Sequence, residues 1–262
     1  PICIAAIILA MAVIPKTKGT KQSIDWVGIL LMFVTIGSMQ LFLDQGNNND
    51  WLNSNFITSL LIICIIAMIL FVWHTLSIKK PAINIRIFRD KNFRLSTLCL
   101  AIFCGTQFSL LILEPIMMQT LFNYTAIISG LTLMPMGLMS GVSVSISANL
   151  MNRIKIKYIL LIGVTFSILG SMYLSTLTLQ ASQSNLLIAN AIMGFGMGFF
   201  MVPLSVNALA NLSGEAITEG AGLYSYGRML GTSIGISLMS TLISRETQIN
   251  WNSLGSNITV FS

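Results

Sequence analysis

The sequence predicts an all-α fold, a polytopic membrane helix bundle of about eight transmembrane helices. Three observations lead there. Charge is scarce: 14 Lys and Arg with 8 Asp and Glu make only 8% of 262 residues, and 55% are hydrophobic. A soluble domain carries roughly a quarter charged residues, so this chain cannot cover a water-facing surface, and its apolar excess is the opposite of a disordered chain. The uncharged runs have the ~20-residue length that crosses a hydrocarbon core. Basic residues cluster in alternate connections, as expected when one side of a membrane holds them.

The elements follow in order. Residues 1–14 are apolar but short, roughly 21 Å as a helix. They open on Pro1 with no basic segment before them, so they read as a spanning helix missing its first turns and not as a signal peptide. Trp26–Leu43 and Phe56–Trp73 each run 18 residues without a charge, and Leu95–Leu113 follows, interrupted at Glu114. Residues 115–152 hold no charge for 38 positions, too long for one span; polar groups at Phe122-Asn123-Tyr124-Thr125 mark the break. The next long run divides at Gln180–Asn185, giving spans near 158–178 and 186–209, and a last span covers roughly 221–243.

The cations test this count. Lys16, Lys18 and Lys21 lie in one connection, Lys79, Lys80, Arg86, Arg89, Lys91 and Arg94 in another, and Arg153, Lys155 and Lys157 in a third. The connections between them carry none, so 12 of the 14 cations alternate with cation-free turns. The net charge of +6 is therefore an orientation signal and not a nucleic-acid footprint. Trp26, Trp51, Trp73 and Trp251 stand at span ends or in connections, where indole anchors an interface.

Polar groups inside spans are the candidates for chemistry. Glu114 follows 19 uncharged residues, and a carboxylate at mid-membrane costs roughly 2.5–3.5 kcal/mol on insertion scales, so it is a candidate for loading and releasing a proton. Asp44 at the end of the second segment and Arg228 near the start of the last are the other coupling or gating candidates; as helix-end groups both also fit a structural role. Asp25 precedes Trp26 as a helix cap. His74 has no second ligand at metal spacing, and Cys3, Cys64, Cys99 and Cys104 lie in apolar runs without a CxxC pair. No metal, cofactor or hydrolytic triad is expected. Gln119, Met136, Met193, Met197 and Tyr226 are candidates to line a substrate cavity. Gly137-x3-Gly141, Gly194-x3-Gly198 and Gly227-x3-Gly231-x3-Gly235 are candidates for close helix packing, and Pro115, Pro135 and Pro203 loosen their spans.

Several of these residues fall in a familiar order. Asp25-Trp26-x-Gly28, Leu43-Asp44-x-Gly46 and Asp50-Trp51 are followed by Phe88-Arg89 with Asn92-Phe93, then Pro115, Gln119 and Tyr124-Thr125. Gly130-Leu131, Pro135-x-Gly137, Gly194-x-Gly196-x-Gly198, Pro203, Gly220-x-Gly222-Leu223, Arg228 and Gly231-x3-Gly235 complete the series. Across nearly its whole length the chain resembles the 14-helix drug:proton antiporters of the major facilitator superfamily, the EmrB/QacA-type (DHA2) branch. The resemblance implies a C-terminal fragment lacking helices one to five and fourteen. Glu114 stands where that family usually has an apolar residue, and Met136 and Met193 where an arginine is common.

On that resemblance, residues 1–78 would be the end of an N-terminal half plus two linker helices, and 79–94 a cytoplasmic basic loop. Residues 95–243 would be a five-helix C-terminal lobe, and 244–262 an external or periplasmic loop. The implied function is proton-coupled efflux of drugs or other small amphipathic molecules across the bacterial inner membrane, without a cofactor. The implied partners are the lipid bilayer, substrate and protons and, in a host with two membranes, a periplasmic adaptor and an outer-membrane channel. The other class is a non-transporting scaffold subunit or an inactive truncated remnant. Single-cysteine labelling should find residues 79–94 and 153–157 reactive from the same side of the membrane; labelling from opposite sides would refute the segment count.

Overall fold

The structure is a computed structural model that describes residues 25–46, 49, 51–78, 85–178 and 180–257. The first expected segment, with Cys3 and Lys16 to Lys21, lies outside the described residues, as do Asp50, Lys79 and Lys80. Seven long helices follow: α1 Trp26–Gly46, α2 Asn55–Ser77, α3 Lys91–Thr120, α4 Ala126–Leu150, α5 Ile156–Ser175, α6 Gln183–Leu209 and α7 Glu215–Asn257. Among the described residues there is no strand. Six of these helices, α1 to α6, are long and apolar enough to cross a membrane.

Local chemistry sets the ends. Asp25 accepts from the Gly28 N–H at 2.8 Å, capping α1 as expected. The same oxygen lies 2.9 Å from His74 Nε2, fastening the start of α1 to the end of α2. Asp90 and Thr125 cap α3 and α4 by accepting from Asn92 and Ile128 N–H. The long uncharged run breaks where the polar cluster stands: α3 stops at Thr120, and Asn123 adopts φ +53° before α4 begins. Proline does not break the spans. Pro115, Pro135 and Pro203 all sit inside continuous helices.

One expected loop is a helix. Residues 244–262 read as an external connection, yet α7 continues to Asn257 and is 43 residues long. At 1.5 Å per residue it reaches ~64 Å, well beyond the ~40–45 Å of a whole bilayer. No proline or glycine lies between Ile236 and Leu254 to stop it. Polarity there marks where the helix leaves lipid, not where its backbone bonds end. The projecting part flanks the short 3-10 turn Trp51–Asn53, with which it forms a cavity lined by Arg245 and Gln248.

Helix packing follows from missing side chains. A Cβ on Gly231 would collide with the Ala101 backbone and one on Gly235 with the Gly105 backbone, so α7 lies directly against α3 in parallel. A Cβ on Gly194 would meet the Met136 backbone, and one on Gly198 the Ser143 hydroxyl, seating α6 on α4. A Cβ on Gly163 would stand 2.9 Å from the Gly196 carbonyl, seating α5 on the other side of α6. Lipid supplies no hydrophobic drive between helices, so this close van der Waals contact is the cohesive force. Gly137 and Gly141 depart from expectation: nothing stands within 4 Å of where their side chains would begin. Helix α4 turns its Met136, Ser143 and Ser147 face to α6 and leaves those two glycines off the seam.

The hairpin of α1 and α2 attaches to α7 through hydroxyls. Ser233 Oγ donates to Gln40 Oε1 at 2.7 Å and Ser237 Oγ to the Leu43 carbonyl at 3.0 Å. An apolar cluster closes the inner half of the bundle, where Phe103 stacks on Phe200 with centroids 4.0 Å apart. Leu, Ile and Met side chains cover the outside, and Trp26, Trp73 and Trp251 are each about 70% exposed, as interface anchors should be. A Gly231→Val change should destabilise the bundle by about 1–3 kcal/mol by overpacking. Gly137→Ala should leave the thermal unfolding midpoint in detergent unchanged or slightly raised.

Candidate functional site

The seam between α3 and α6 holds a buried carboxyl, Glu114, and a buried carboxamide, Asn190. On α3, Ser96, Leu100, Phe103, Gln107 and Glu114 recur at steps of four, three, four and seven residues and so form one stripe. That stripe faces α6, whose asparagines answer it. Asn190 Nδ2 donates to Glu114 Oε1 at 2.6 Å, Asn207 Nδ2 to Ser96 Oγ at 3.0 Å, and Asn211 Nδ2 to both Asp90 oxygens at 3.2 and 3.3 Å. The two helices run antiparallel, so these three pairs mark successive levels of one seam, from the end of α3 back to its start.

Glu114 is the buried ionisable group of this seam. It is 3% exposed, and Asn190 is fully buried. Asn190 also donates to the Leu186 carbonyl at 3.1 Å, so its amide nitrogen is committed on both hydrogens. Glu114 Oε2 and Asn190 Oδ1 have no hydrogen-bond partner, and neither does the Gln107 Oε1 two turns further in. Glu114 lies six residues before the end of α3, ~9 Å from its outer terminus. There it forms part of the wall of a cavity of about 450 Å³ between α3, α5 and α6, otherwise lined mainly by leucines with Ser171, Ser175 and Thr178. A buried carboxyl with one oxygen held and one free is arranged to take up a proton or a donor group, since isolated ionisation in such surroundings is costly.

The other expected site residues do not converge on it. Asp44 is exposed at the outer end of α1, where both its oxygens accept from Gln40 at 3.1 Å. Arg228 is exposed on α7. The parallel register that sets Gly227 on Thr97 places Arg228 beside Leu98, sixteen residues and ~24 Å along α3 from Glu114. It sits more than three turns into α7, because the helix begins at Glu215, ahead of the expected span. Gln119 is exposed at the outer end of α3. Met193 is fully buried in the α5–α6 seam, packed on Gly170 and accepting from the Ser171 hydroxyl at 3.6 Å. Met136 is buried against Gly194, and Met197 packs on the inner apolar cluster. The Met193 side chain fills the space that Gly170 opens, and none of the three methionines lines the cavity beside Glu114. Tyr226 does line a cavity, a separate one between α1, α2 and α7.

Asn190, Gln107 and Asn207 escaped the sequence reading. The signal was present: each is an uncharged polar side chain inside an apolar span, where it needs a partner as much as a charge does. Counting charges alone passes over them.

An apolar exterior, basic connections and a carboxyl buried between spans define a multi-pass membrane protein built around a polar helix seam. Comparison with known families makes the class specific. Residues 1–236 match the Major Facilitator Superfamily, and the chain belongs to that family of transporters. It is 25% identical to the multidrug export protein EmrB of Haemophilus influenzae over 267 residues, all of this chain and 52% of that protein. It is 26% identical to the fatty acid resistance protein FarB of Neisseria gonorrhoeae, over 94% of this chain and 49% of that one. The lincomycin resistance protein LmrB of Listeria monocytogenes is 22% identical, with 93% of this chain and 52% of that protein covered. The chain thus spans about half the length of the curated relatives it matches, and it is a multi-pass protein of the bacterial inner membrane. Asn190→Leu should strand the Glu114 carboxyl and lower stability by about 1–3 kcal/mol, read as a reduced unfolding midpoint in detergent. The Glu114→Leu, Asn190→Leu double variant should recover part of that loss by removing both partners.

Proposed function

We propose that this chain is part of a proton-coupled exporter of drugs or other small amphipathic molecules, and that Glu114 carries the coupled proton. One observation carries the reading: a carboxyl buried between two spans, held on one oxygen by Asn190 and unpartnered on the other, against a largely apolar cavity. Protonation makes that carboxyl neutral and compatible with its surroundings. Ionisation becomes favourable when water or a cationic group reaches Oε2, so proton release and cavity occupancy are linked. The resistance and export names of the relatives support a drug-sized cargo.

Geometry favours Glu114 over Asp44 and Arg228, which are exposed. The glycine seams allow α3, α4, α6 and α7 to shift against one another while keeping backbone contact, as an alternating cavity requires. Export past a second membrane would add a periplasmic adaptor and an outer-membrane channel as partners. In proteoliposomes containing the full-length protein, Glu114→Gln should reduce substrate-driven proton movement on the order of 100-fold, because the amide keeps the Asn190 contact but carries no exchangeable acid proton. Undiminished coupling in that variant would remove Glu114 from the mechanism.

A further inference from the structure

The hairpin of α1 and α2 holds a second cluster, distinct from the Glu114 seam. Cys64 is buried on α2, at 5% exposure. Its Sγ lies 3.7 Å from the Thr35 carbonyl and 3.8 Å from Met39 Sδ, both on α1. The two helices are antiparallel, so with Thr35 and Met39 opposite Cys64, Met32 comes level with Met68 one turn nearer the cytoplasmic ends. Met32 and Met39 are seven residues apart and Cys64 and Met68 four, so each pair shares a helix face. All four line a single cavity of about 360 Å³ that Tyr226 and Leu230 of α7 close on the third side.

We propose that this cavity is a binding site for a soft monovalent metal ion, cuprous copper, held by the Cys64 thiolate and the Met39, Met32 and Met68 thioethers. Thiolate and thioether sulfur together select Cu(I) over harder ions. Spacing agrees with this set: two sulfurs each ~2.3 Å from one trigonal ion stand ~4 Å apart, close to the Cys64–Met39 separation. Met32 and Met68 are unbranched and can swing in as third and fourth ligands.

Charge decides the oxidation state. Binding forms a Cu–S bond and releases the Cys64 thiol proton to water, so Cu(I) leaves the site neutral. A divalent ion would leave one uncompensated positive charge among leucine, isoleucine and phenylalanine side chains, which is costly. No electron is transferred in this step. A comparable pair, Cys104 with Met201 at 3.9 Å, is packed into the inner apolar cluster and provides an internal control.

The test uses the purified chain in detergent, titrated anaerobically and under reductant against a chromophoric Cu(I) chelator. One equivalent of Cu(I) should leave the chelator, and copper X-ray absorption should show a sulfur-only shell near ~2.3 Å. C64S should abolish the binding, and M39L and M68L should weaken it roughly 10- to 100-fold. Leucine conserves methionine volume, so these two variants read ligation even if C64S fails to fold. A C3S, C99S, C104S triple variant should bind as the unsubstituted chain does. Failure to withdraw copper, equal affinity in M39L and M68L, a shell of nitrogen or oxygen, or tighter binding of Zn(II) would each overturn the proposal. The assay involves no transport, so its failure leaves the Glu114 reading intact.

Discussion

The architecture depends on backbone-to-backbone approach at α6 and α3, made possible by absent side chains. Gly194 and Gly198 admit α4, Gly196 with Gly163 admits α5, and Gly231 and Gly235 bring α7 onto α3. In water such contacts would be one contribution beside hydrophobic burial. In lipid, where the tails are as apolar as the side chains, they are the principal reason for one helix to prefer another over solvent. Removing that intimacy at one seam would leave the helices formed but loosely associated, because each satisfies its own backbone hydrogen bonds.

That close packing is also what makes the polar seam consequential. Asn190 and Glu114 meet at 2.6 Å because α6 is pressed from behind by α4 and α5. A carboxyl at the same depth on a loosely packed helix would turn toward the interface or draw in water. Here one oxygen is fixed and the other is buried without a hydrogen-bond partner, in a residue that forms part of a cavity wall. Some hydroxyls behave differently: Thr97 and Ser38 donate to carbonyls of their own helices, which satisfies them without specifying any neighbour.

Much of the fold was legible. The seven spans expected beyond residue 25 each correspond to a helix, six of them long and apolar enough to cross a membrane; the division at 122–125 falls between α3 and α4, and that at 180–185 straddles the start of α6 at Gln183. Those divisions could be read because a loop in a membrane must reach water, and polar side chains mark where it does. The end of α7 was misread for the converse reason. A helix can leave the membrane and continue, and residues 244–254 are largely polar without containing a glycine or proline.

Sequence by itself determined lipid as the solvent, the number and order of the long helices beyond residue 25, and the presence of one costly carboxyl at Glu114. Each of these depends only on the local density of charge and apolar surface, which is written along the chain. Tertiary structure alone decided which glycines meet a neighbour, that Asn190 is the partner of Glu114, and that Cys64 and Met39 share a level with Met32 and Met68 beneath. These depend on helix rotation and relative register. Spans of nearly uniform greasiness carry almost no record of either, since every face of such a helix is equally content in lipid until a second helix selects one.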